Sequence, residues 1–332
     1  MKNKPRDIPY YGVRRDKIAS LPIESINAEA LDMFLYFIDE RYKIHLRKDI
    51  QLIDPPYTRD AILQYYRFTN IRREYDRNTK WAVEHICNNQ KLRYGQKLVN
   101  LVLFRIFNKI KTAELLQLPI LDPKKLDVHS TAEQLELLLD DTPFTGAYLC
   151  SGMKRYMKKY TETDSNTEAA LKIVQEMCED KFWKGTKKAT SPAVVLGALQ
   201  QYPGISEFMS YQIFVDFTYI DDFPFSENEY TIAGIGAKNG LKLLFQGNKR
   251  VRNFTPEELI FWLRDNWEEL NQYNTQHGGK HTVKPKILFQ DLPEYDRVMN
   301  VMSIENCLCE FSKYYKAKNG LGRPRQKYRR TK

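Results

Sequence analysis

The sequence predicts a mainly α-helical protein, and three observations support that fold class. Apolar residues recur at intervals of three and four along most of the chain, which is the period of amphipathic helices. The alternation of polar and apolar residues that indicates strands is scarce, and we expect only short extended pieces near 230–233 and 285–290. The chain shows neither an internal repeat nor a regular exchange of strands with helices.

The helices can be assigned in chain order from this periodicity. Residues 28–47 carry a long amphipathic pattern, and Thr58 is the expected N-cap of the helix that follows at 59–68. After a short interruption, a helix is predicted at 74–88. The remaining predicted helices are 95–112, 131–140, 165–179, 192–201, 207–219, 256–272 and 303–317.

One helical domain with two flanking segments is the predicted organisation. We expect an N-terminal extension at 1–27, a helical domain at 28–318 and a basic mobile tail at 319–332. The domain is long enough to form two helical lobes with a cleft between them, and a helical hairpin is expected at 192–219. No loop has the length and composition of a clear interdomain linker.

Composition and charge favour an anionic partner. The chain carries 52 Lys and Arg against 42 Asp and Glu, a net charge of +10, with 17 Phe and 21 Tyr. Its final 17 residues contain eight Lys and Arg and no acid. A basic surface with interleaved aromatic rings suits nucleic acid, and we predict double-stranded DNA as the partner. A basic but otherwise ordinary enzyme would have the same composition.

Neither a membrane nor a metal is expected from the sequence. No stretch approaches the roughly 18 apolar residues of a membrane span and the N-terminus lacks an apolar signal segment, so we expect a cytoplasmic protein. The five cysteines form no CxxC pair, and the histidine pair in the HGGKH loop has no second pair beside it. We therefore predict no metal site and no cofactor.

Residues 202–213, YPGISEFMSYQI, place a Pro-Gly turn between two helices. The glycine of such a turn can take backbone conformations that other residues resist. The N–H groups at the start of the second helix, helped by the helix dipole, can bind a phosphate without reading the sequence of the DNA. The same pattern also fits a plain helical corner. The predicted phosphate contacts are Pro203, Gly204, Ile205, Ser206, Arg323 and Arg325.

The hairpin and the residues after it resemble the helix-hairpin-helix DNA glycosylase superfamily. Members carry an apolar-Pro-Gly-apolar-Gly hairpin followed by a catalytic aspartate, and Glu229 lies 25 positions beyond Gly204 (229 minus 204). Two positions depart from that pattern, because Ser206 replaces the second glycine and Glu229 replaces the aspartate. The resemblance implies a glycosylase-like helical fold, in which a carboxylate stabilises the positive charge that develops on the sugar. The catalytic candidates are Glu229, Asp216, Asp222 and Glu227.

Several further blocks occur in order along the chain: ERYKIHLRK (40–48), ILQYYRFTNIRREYDRNTKW (62–81), FTGAYLCSG (144–152), YPGISEFMSYQIFVDFTY (202–219), AGIGAKNGL (233–241) and IENCLCEFSKYYK (304–316). Together they resemble the α-glutamyl/putrescinyl-thymine pyrophosphorylase-like family, which is also described by the helical domain of 5-hydroxymethyluracil DNA kinases. The resemblance implies a DNA glycosylase-like fold and a hypermodified pyrimidine as the substrate.

The stretch 66–77 is the densest polar block in the chain. Amide, guanidinium and carboxylate groups at this density can hydrogen-bond a base edge or a polar substituent, and aromatic rings can stack on an extruded base. Charged runs more often form a solvated helix face, and aromatic residues at this spacing more often lie in the core. The predicted base-binding residues are Tyr66, Phe68, Asn70, Arg73, Glu74, Asp76, Arg77 and Gln212.

These features lead to a main functional expectation and two further hypotheses. We expect a monofunctional DNA glycosylase that excises a hypermodified pyrimidine and leaves an abasic site, with a role in defence against phage; Lys238 is the nearest lysine that would suggest a lyase instead. The first further hypothesis is a hypermodification enzyme that substitutes an amine or amino acid onto a pyrophosphorylated hydroxymethyl base. The second is a DNA-binding module without chemistry. Because no GxxxxGK[ST] motif occurs, we do not expect intrinsic kinase activity.

Overall fold

A computed structural model describes residues 12–139, 141–145, 165–324 and 326–328. Helices dominate these residues, which contain no β-strand and a single isolated bridge between Tyr66 and Lys327. The predicted mainly α fold is therefore confirmed. The α-helices are α1 Arg15–Ala19, α2 Ala28–His45, α3 Ala61–Tyr65, α4 Arg77–Ala82, α5 Tyr94–Phe107, α6 Ile110–Leu115, α7 Val128–Leu138, α8 Asn166–Glu179, α9 Trp183–Thr186, α10 Pro192–Gln200, α11 Glu207–Phe217, α12 Ile235–Leu244, α13 Pro256–Asp265, α14 Trp267–Gln276, α15 Pro285–Leu288 and α16 Val301–Lys318.

Local backbone chemistry explains where the helix boundaries differ from the prediction. The N-cap of α3 is Asp60 rather than Thr58, since the Asp60 carboxylate accepts hydrogen bonds from two backbone N–H groups of the first turn. The helix predicted at 95–112 is broken at Asn108, whose φ of 47° is left-handed and ends α5. The strand expected near 285–290 was wrong, because this stretch begins with the helical turn α15.

The chain divides into two compact units. Unit one contains residues 77–229, and unit two joins residues 12–76 to the chain from 230 onward. In unit one, α5 is buried along most of its length and contacts α8 and α11. None of the described helices combines the length and hydropathy that crossing a membrane requires.

Aromatic rings from α2 and α16 form the core of unit two. The Phe34 and Phe311 rings lie 5.2 Å apart between centroids, and those of Phe37 and Tyr314 lie 5.3 Å apart. Edge and tilted packing of this kind adds to the hydrophobic stabilisation that burial already supplies. This packing therefore fixes the positions of α2 and α16, and with them the positions of their polar residues.

Two glycines allow α12 to lie directly on α16. A Cβ atom built at Gly240 would overlap the carbonyl group of Leu308, and one built at Gly236 would overlap the thiol of Cys309. The first overlap involves backbone atoms, which cannot turn aside as a flexible side chain can. The close contact of these two helices therefore depends on the absence of a side chain at Gly240.

We expect Gly240→Ala to destabilise the protein, although alanine favours helices. Overpacking costs about 1–3 kcal/mol, which outweighs the helix-propensity gain of about 1 kcal/mol. Gly197→Ala in α10 is the matched control, because nothing lies within 4 Å of its added Cβ, and it should stabilise the protein by about 0.5–1 kcal/mol. Urea denaturation measures both variants, and equal stability of the two would contradict this packing.

Candidate base-recognition site

The backbone of residues 68–70 is held by long-range side-chain contacts rather than by regular structure. The guanidinium of Arg41, on α2, donates to the carbonyl oxygens of Phe68 and Thr69, both at 3.1 Å from Nη2. From α16, Asn306 Nδ2 donates to the carbonyl oxygen of Asn70 at 2.9 Å. A guanidinium serves two carbonyls at once because its donors form a planar fork. This segment is thereby fixed against both helices of the unit-two core.

Asp76 carries a carboxylate with an altered proton affinity. Its Oδ1 accepts hydrogen bonds from the backbone N–H and the side-chain amide of Asn70, both at 3.2 Å. Burial raises the pKa of Asp76 to about 6, against the opposing effects of these hydrogen bonds and of the Arg73 and Arg41 charges. A carboxylate with a pKa near neutrality suits proton transfer at physiological pH.

Glu305 is a second carboxyl group in the same electrostatic environment. It is buried, and its Oε1 accepts a hydrogen bond of 3.0 Å from Gly234 N at the start of α12. Burial raises the pKa of Glu305 to about 7; Glu310 and Glu257 add to this effect, whereas Arg73 and the hydrogen bond oppose it.

The positive charge of Arg73 acts on both carboxyl groups. Arg73 is itself buried. Perturbed pKa values are concentrated at functional sites and occur in structural ion-pair networks as well. Together, Asn70, Arg73, Asp76, Glu305 and Asn306 are termed the carboxylate cluster.

The raised pKa of Glu305 predicts a loss of stability as the pH rises. The unfolded chain loses this proton near the ordinary glutamate pKa of 4.5, whereas the folded chain keeps it until about pH 7. Between these values the folded state binds more protons, so the free energy of unfolding falls. The full effect is on the order of 3 kcal/mol at about 1.4 kcal/mol per pKa unit.

Glu305→Gln should remove this pH dependence while keeping an acceptor for Gly234 N. Denaturation midpoints between pH 4.5 and 7 should then fall less steeply than in the wild type. Glu268→Gln, an exposed glutamate on α14, is the control and should retain the wild-type slope. A wild-type slope in Glu305→Gln would contradict the burial of a protonated carboxyl group.

The other predicted base-binding residues of the 66–77 stretch have different surroundings. Phe68 is buried in the core, with its ring 5.7 Å from that of Phe37, so we do not include it in the proposed base pocket. Glu74 Oε1 accepts from Arg72 Nε at 3.2 Å. Arg77 is exposed and belongs to unit one, whereas Tyr66 is half-buried in unit two.

The predicted catalytic carboxylates lie in unit one and have structural partners there. Glu229 accepts a hydrogen bond from Ser226 N at 3.1 Å and precedes α12 by six positions (235 minus 229). The carboxylate of Glu227 accepts from the Tyr219 hydroxyl at 3.1 Å. Each of these half-buried acids is thus held by a partner that is close in sequence.

Asp216 is paired with a buried arginine. Its carboxylate receives two hydrogen bonds from Arg105, 2.6 Å from Nε and 2.7 Å from Nη2. The two side chains are 1% and 3% exposed. Gln212, four positions earlier on α11, is also buried. This pair joins α5 to α11 inside the core of unit one, and the catalytic role of Asp216 stays a prediction.

The predicted helical hairpin is present as α10, a turn and α11. Gly204 adopts a φ of 101° at the turn, and the Ser206 hydroxyl caps α11 by accepting from Met209 N at 3.2 Å. Its binding of phosphate stays a prediction, as does that of the exposed Arg323. Arg325 and most of the FTGAYLCSG block lie outside the described residues.

Comparison with known proteins places the chain in a family. Residues 28–321 match the family described as 5-hmdU DNA kinase, helical domain, and the chain belongs to this family. A curated relative, the 5-hmdU DNA kinase of Bacillus phage SP10, is 23% identical over 303 residues, which is 86% of this chain and 44% of that protein. The chain thus spans less than half the length of this relative. No solved structure matches it.

This family membership overturns the glycosylase prediction. The family and its phage relative are named for a kinase of a hydroxymethylated nucleoside in DNA, not for base excision. The resemblance of the hairpin led to the wrong reaction. A turn that binds phosphate positions a protein on DNA but does not determine which bond reacts.

Sequence analysis also missed Arg41, Glu305 and Asn306 as neighbours of the 68–76 segment. Asn306 contacts Asn70, which is 236 positions away in the sequence, and a local sequence pattern does not predict such a contact. The available signal was the IENCLCEFSKYYK block, which supported the family resemblance and contains both Glu305 and Asn306.

Proposed function

We propose that this chain binds 5-hydroxymethyluracil in DNA and takes part in the hypermodification of its hydroxymethyl group, leaving the glycosidic bond intact. The observation that carries the proposal is the carboxylate cluster, in which Asp76 and Glu305 have raised pKa values beside Arg73. Membership of the 5-hmdU DNA kinase helical-domain family supports the choice of base.

The groups of the cluster match the needs of a hydroxymethyl pyrimidine. The amides of Asn70 and Asn306 are donors and acceptors of the kind that read a pyrimidine edge. To do so they would exchange their present partners, which are Arg41, Asp76, Thr69 and the Asn70 carbonyl. Asp76 Oδ2 would accept the proton of the hydroxymethyl group, so that its oxygen becomes the better nucleophile. Arg73 would stabilise negative charge that develops nearby.

Phosphoryl transfer to the hydroxymethyl oxygen is the reaction that the name of the phage relative suggests, and it would reverse our expectation of no kinase activity, which rested on the missing GxxxxGK[ST] motif. The oxygen would form a bond to the terminal phosphorus of a nucleoside triphosphate as the bond from that phosphorus to its bridging oxygen breaks. The proton of the hydroxyl would pass to Asp76, and nucleoside diphosphate would leave. Among the described residues, no group of three or more His, Cys, Asp or Glu is arranged to hold a metal ion. We assign no residue to the phosphoryl donor.

Substitution at an already pyrophosphorylated hydroxymethyl group is the second candidate. The absence of a GxxxxGK[ST] motif from the sequence favours it, because this reaction needs no nucleotide. An amine would attack the methylene carbon, a carboxylate would take its proton, and pyrophosphate would leave. Family resemblance to the pyrophosphorylase-like enzymes supports this candidate, and both reactions use the same base.

Base recognition can be tested by binding alone. Two fluorescent duplexes that differ only in thymine or 5-hydroxymethyluracil at one position are titrated with the protein at fixed salt, because phosphate contacts depend on salt. We expect tighter binding to the hydroxymethylated duplex, and we expect Asn70→Ala to reduce that preference. Equal affinity for the two duplexes would contradict the proposal.

A further inference from the structure

The loop at 50–56 presents an exposed apolar tip. Leu52 is 79% exposed, and its neighbours Ile50 and Ile53 are 54% and 45% exposed. Leu52 also has a φ of 53°, in the left-handed region that leucine rarely adopts. Strained backbone of this kind persists only where the surrounding structure enforces it, and it is concentrated at functional sites.

Both ends of this loop are fixed to unit two. Gln51 N donates to the Leu46 carbonyl at 2.8 Å, and Ile53 N donates to the Arg47 carbonyl at 3.0 Å. The Arg47 guanidinium then reaches across the loop and donates to the Tyr57 carbonyl at 2.5 Å. The apolar tip therefore belongs to a loop whose two ends are held by hydrogen bonds.

The C-terminal tail lies beside the loop. Tyr328 N donates to the Tyr65 carbonyl at 2.8 Å, and Arg67 N donates to the Gln326 carbonyl at 3.0 Å. The ammonium of Lys48, two positions before the loop, lies 5.7 Å from the centroid of the Tyr328 ring. Residues 326–328 of the predicted mobile tail are thus paired with the 65–67 stretch.

The surface around the tip is basic and aromatic. The Lys327 ammonium lies 5.1 Å from the centroid of the half-exposed Tyr65 ring. Lys48, Arg67 and Arg323 are also exposed, against two exposed carboxylates at the loop, Asp49 directly before it and Asp54 within it. Cations with tyrosine faces among them match a phosphate backbone and its bases.

We propose that Leu52 is a wedge that enters duplex DNA between base pairs, with Lys48 and Lys327 holding the adjacent phosphates. This inference rests on the proposed function, because it requires DNA as the partner. Proteins unstack and kink a duplex with an apolar side chain inserted between base steps, while basic residues hold the backbone. Extruding a base toward a pocket carries an unstacking cost that such a wedge offsets.

The direct test uses a duplex with 2-aminopurine beside the 5-hydroxymethyluracil, because the emission of this base rises when it is unstacked. Wild-type protein should raise the emission, and Leu52→Asn should lose that rise; asparagine tolerates the left-handed backbone, so the loop conformation is kept. Leu52→Met should retain the rise. Leu137→Asn, at an 84% exposed leucine on α7, is the matched control and should behave as the wild type.

The proposed phosphate contacts have a separate readout. Lys48→Ala and Lys327→Ala should each weaken binding to every duplex and reduce the slope of log affinity against log salt by about 1. Leu52→Asn should leave that slope unchanged, because it removes no charge. A slope that neither lysine variant alters would overturn their assignment to the phosphates.

Failure of the wedge and failure of base recognition are distinguishable. A preference for the hydroxymethylated duplex without a Leu52-dependent rise in emission would overturn the wedge alone. A Leu52-dependent rise on both duplexes without any preference would overturn base recognition alone. If Leu52→Asn changed only the sedimentation of the protein from dimer to monomer, the tip would be a contact between two copies and the wedge would be overturned.

Discussion

Asp76→Asn should lower the rate of hydroxymethyl modification by about 10²- to 10⁴-fold, the usual contribution of a general base. Asparagine keeps an oxygen that can accept the Asn70 hydrogen bonds but cannot take a proton at Oδ2. Single-turnover rates on hydroxymethylated DNA measure the effect, and DNA affinity should remain near that of the wild type. Asp122→Asn, at a half-exposed carboxylate, is the control and should retain the full rate.

The pH dependence of the same rate shows whether Asp76 acts as a general base or has only a structural role. Burial raises the pKa of Asp76 to about 6, and the ionised form is the one that accepts a proton. The wild-type rate should therefore rise through about pH 6, where it is half-maximal, and level off above about pH 7, whereas the residual rate of Asp76→Asn should lack this rise. A wild-type profile that is flat through the pKa of Asp76 would contradict the role of this residue.

Asp216→Ala should be among the most destabilising single substitutions in the chain, at about 3–5 kcal/mol. It leaves the Arg105 guanidinium, 3% exposed, without the carboxylate that compensates its charge. The expected result is a large drop in the denaturation midpoint of unit one.

Replacing both partners tests whether an uncompensated charge is the cause. Buried ion pairs exchanged for apolar side chains of similar volume are often neutral in stability, so Arg105→Met with Asp216→Leu should recover most of the loss. A double variant as unstable as Asp216→Ala would show that the other contacts of these residues matter more than the charge. Normal stability of Asp216→Ala with loss of activity would instead support the catalytic prediction made for Asp216.

Helical periodicity predicted the fold class well because it reports directly on which side chains are buried. The 28–47 pattern gave α2 almost unchanged, since Asn27 caps its start and its apolar face meets the core of unit two. The helix predicted at 256–272 is interrupted at Asn266 and continues to Gln276. Breaks of this kind depend on the backbone conformation of one residue, which periodicity does not record.

The site was predictable only in part, for a physical reason. The 66–77 stretch drew attention through its density of charge, and it supplies Asn70, Arg73 and Asp76 to the carboxylate cluster. The raised pKa of Glu305 depends mainly on burial, to which the charges of Glu310 and Glu257 add, and burial of this one side chain is not contained in the local pattern. Phe68 lies in the core, as aromatic residues at this spacing more often do, and its role in base binding stays a prediction.

The fate of the base in DNA tests the central claim most directly. Hydroxymethylated DNA is incubated with the protein and nucleoside triphosphates, and pyrophosphorylated DNA is incubated with the protein and amines. Each product is digested to nucleosides for mass spectrometry, and a second portion is heated in alkali to reveal abasic sites. We predict a modified 5-hydroxymethyluracil nucleoside in one of the two reactions, with intact strands and dependence on Asp76. Released base with alkali-labile strands, or unchanged nucleosides in both reactions, would contradict the account.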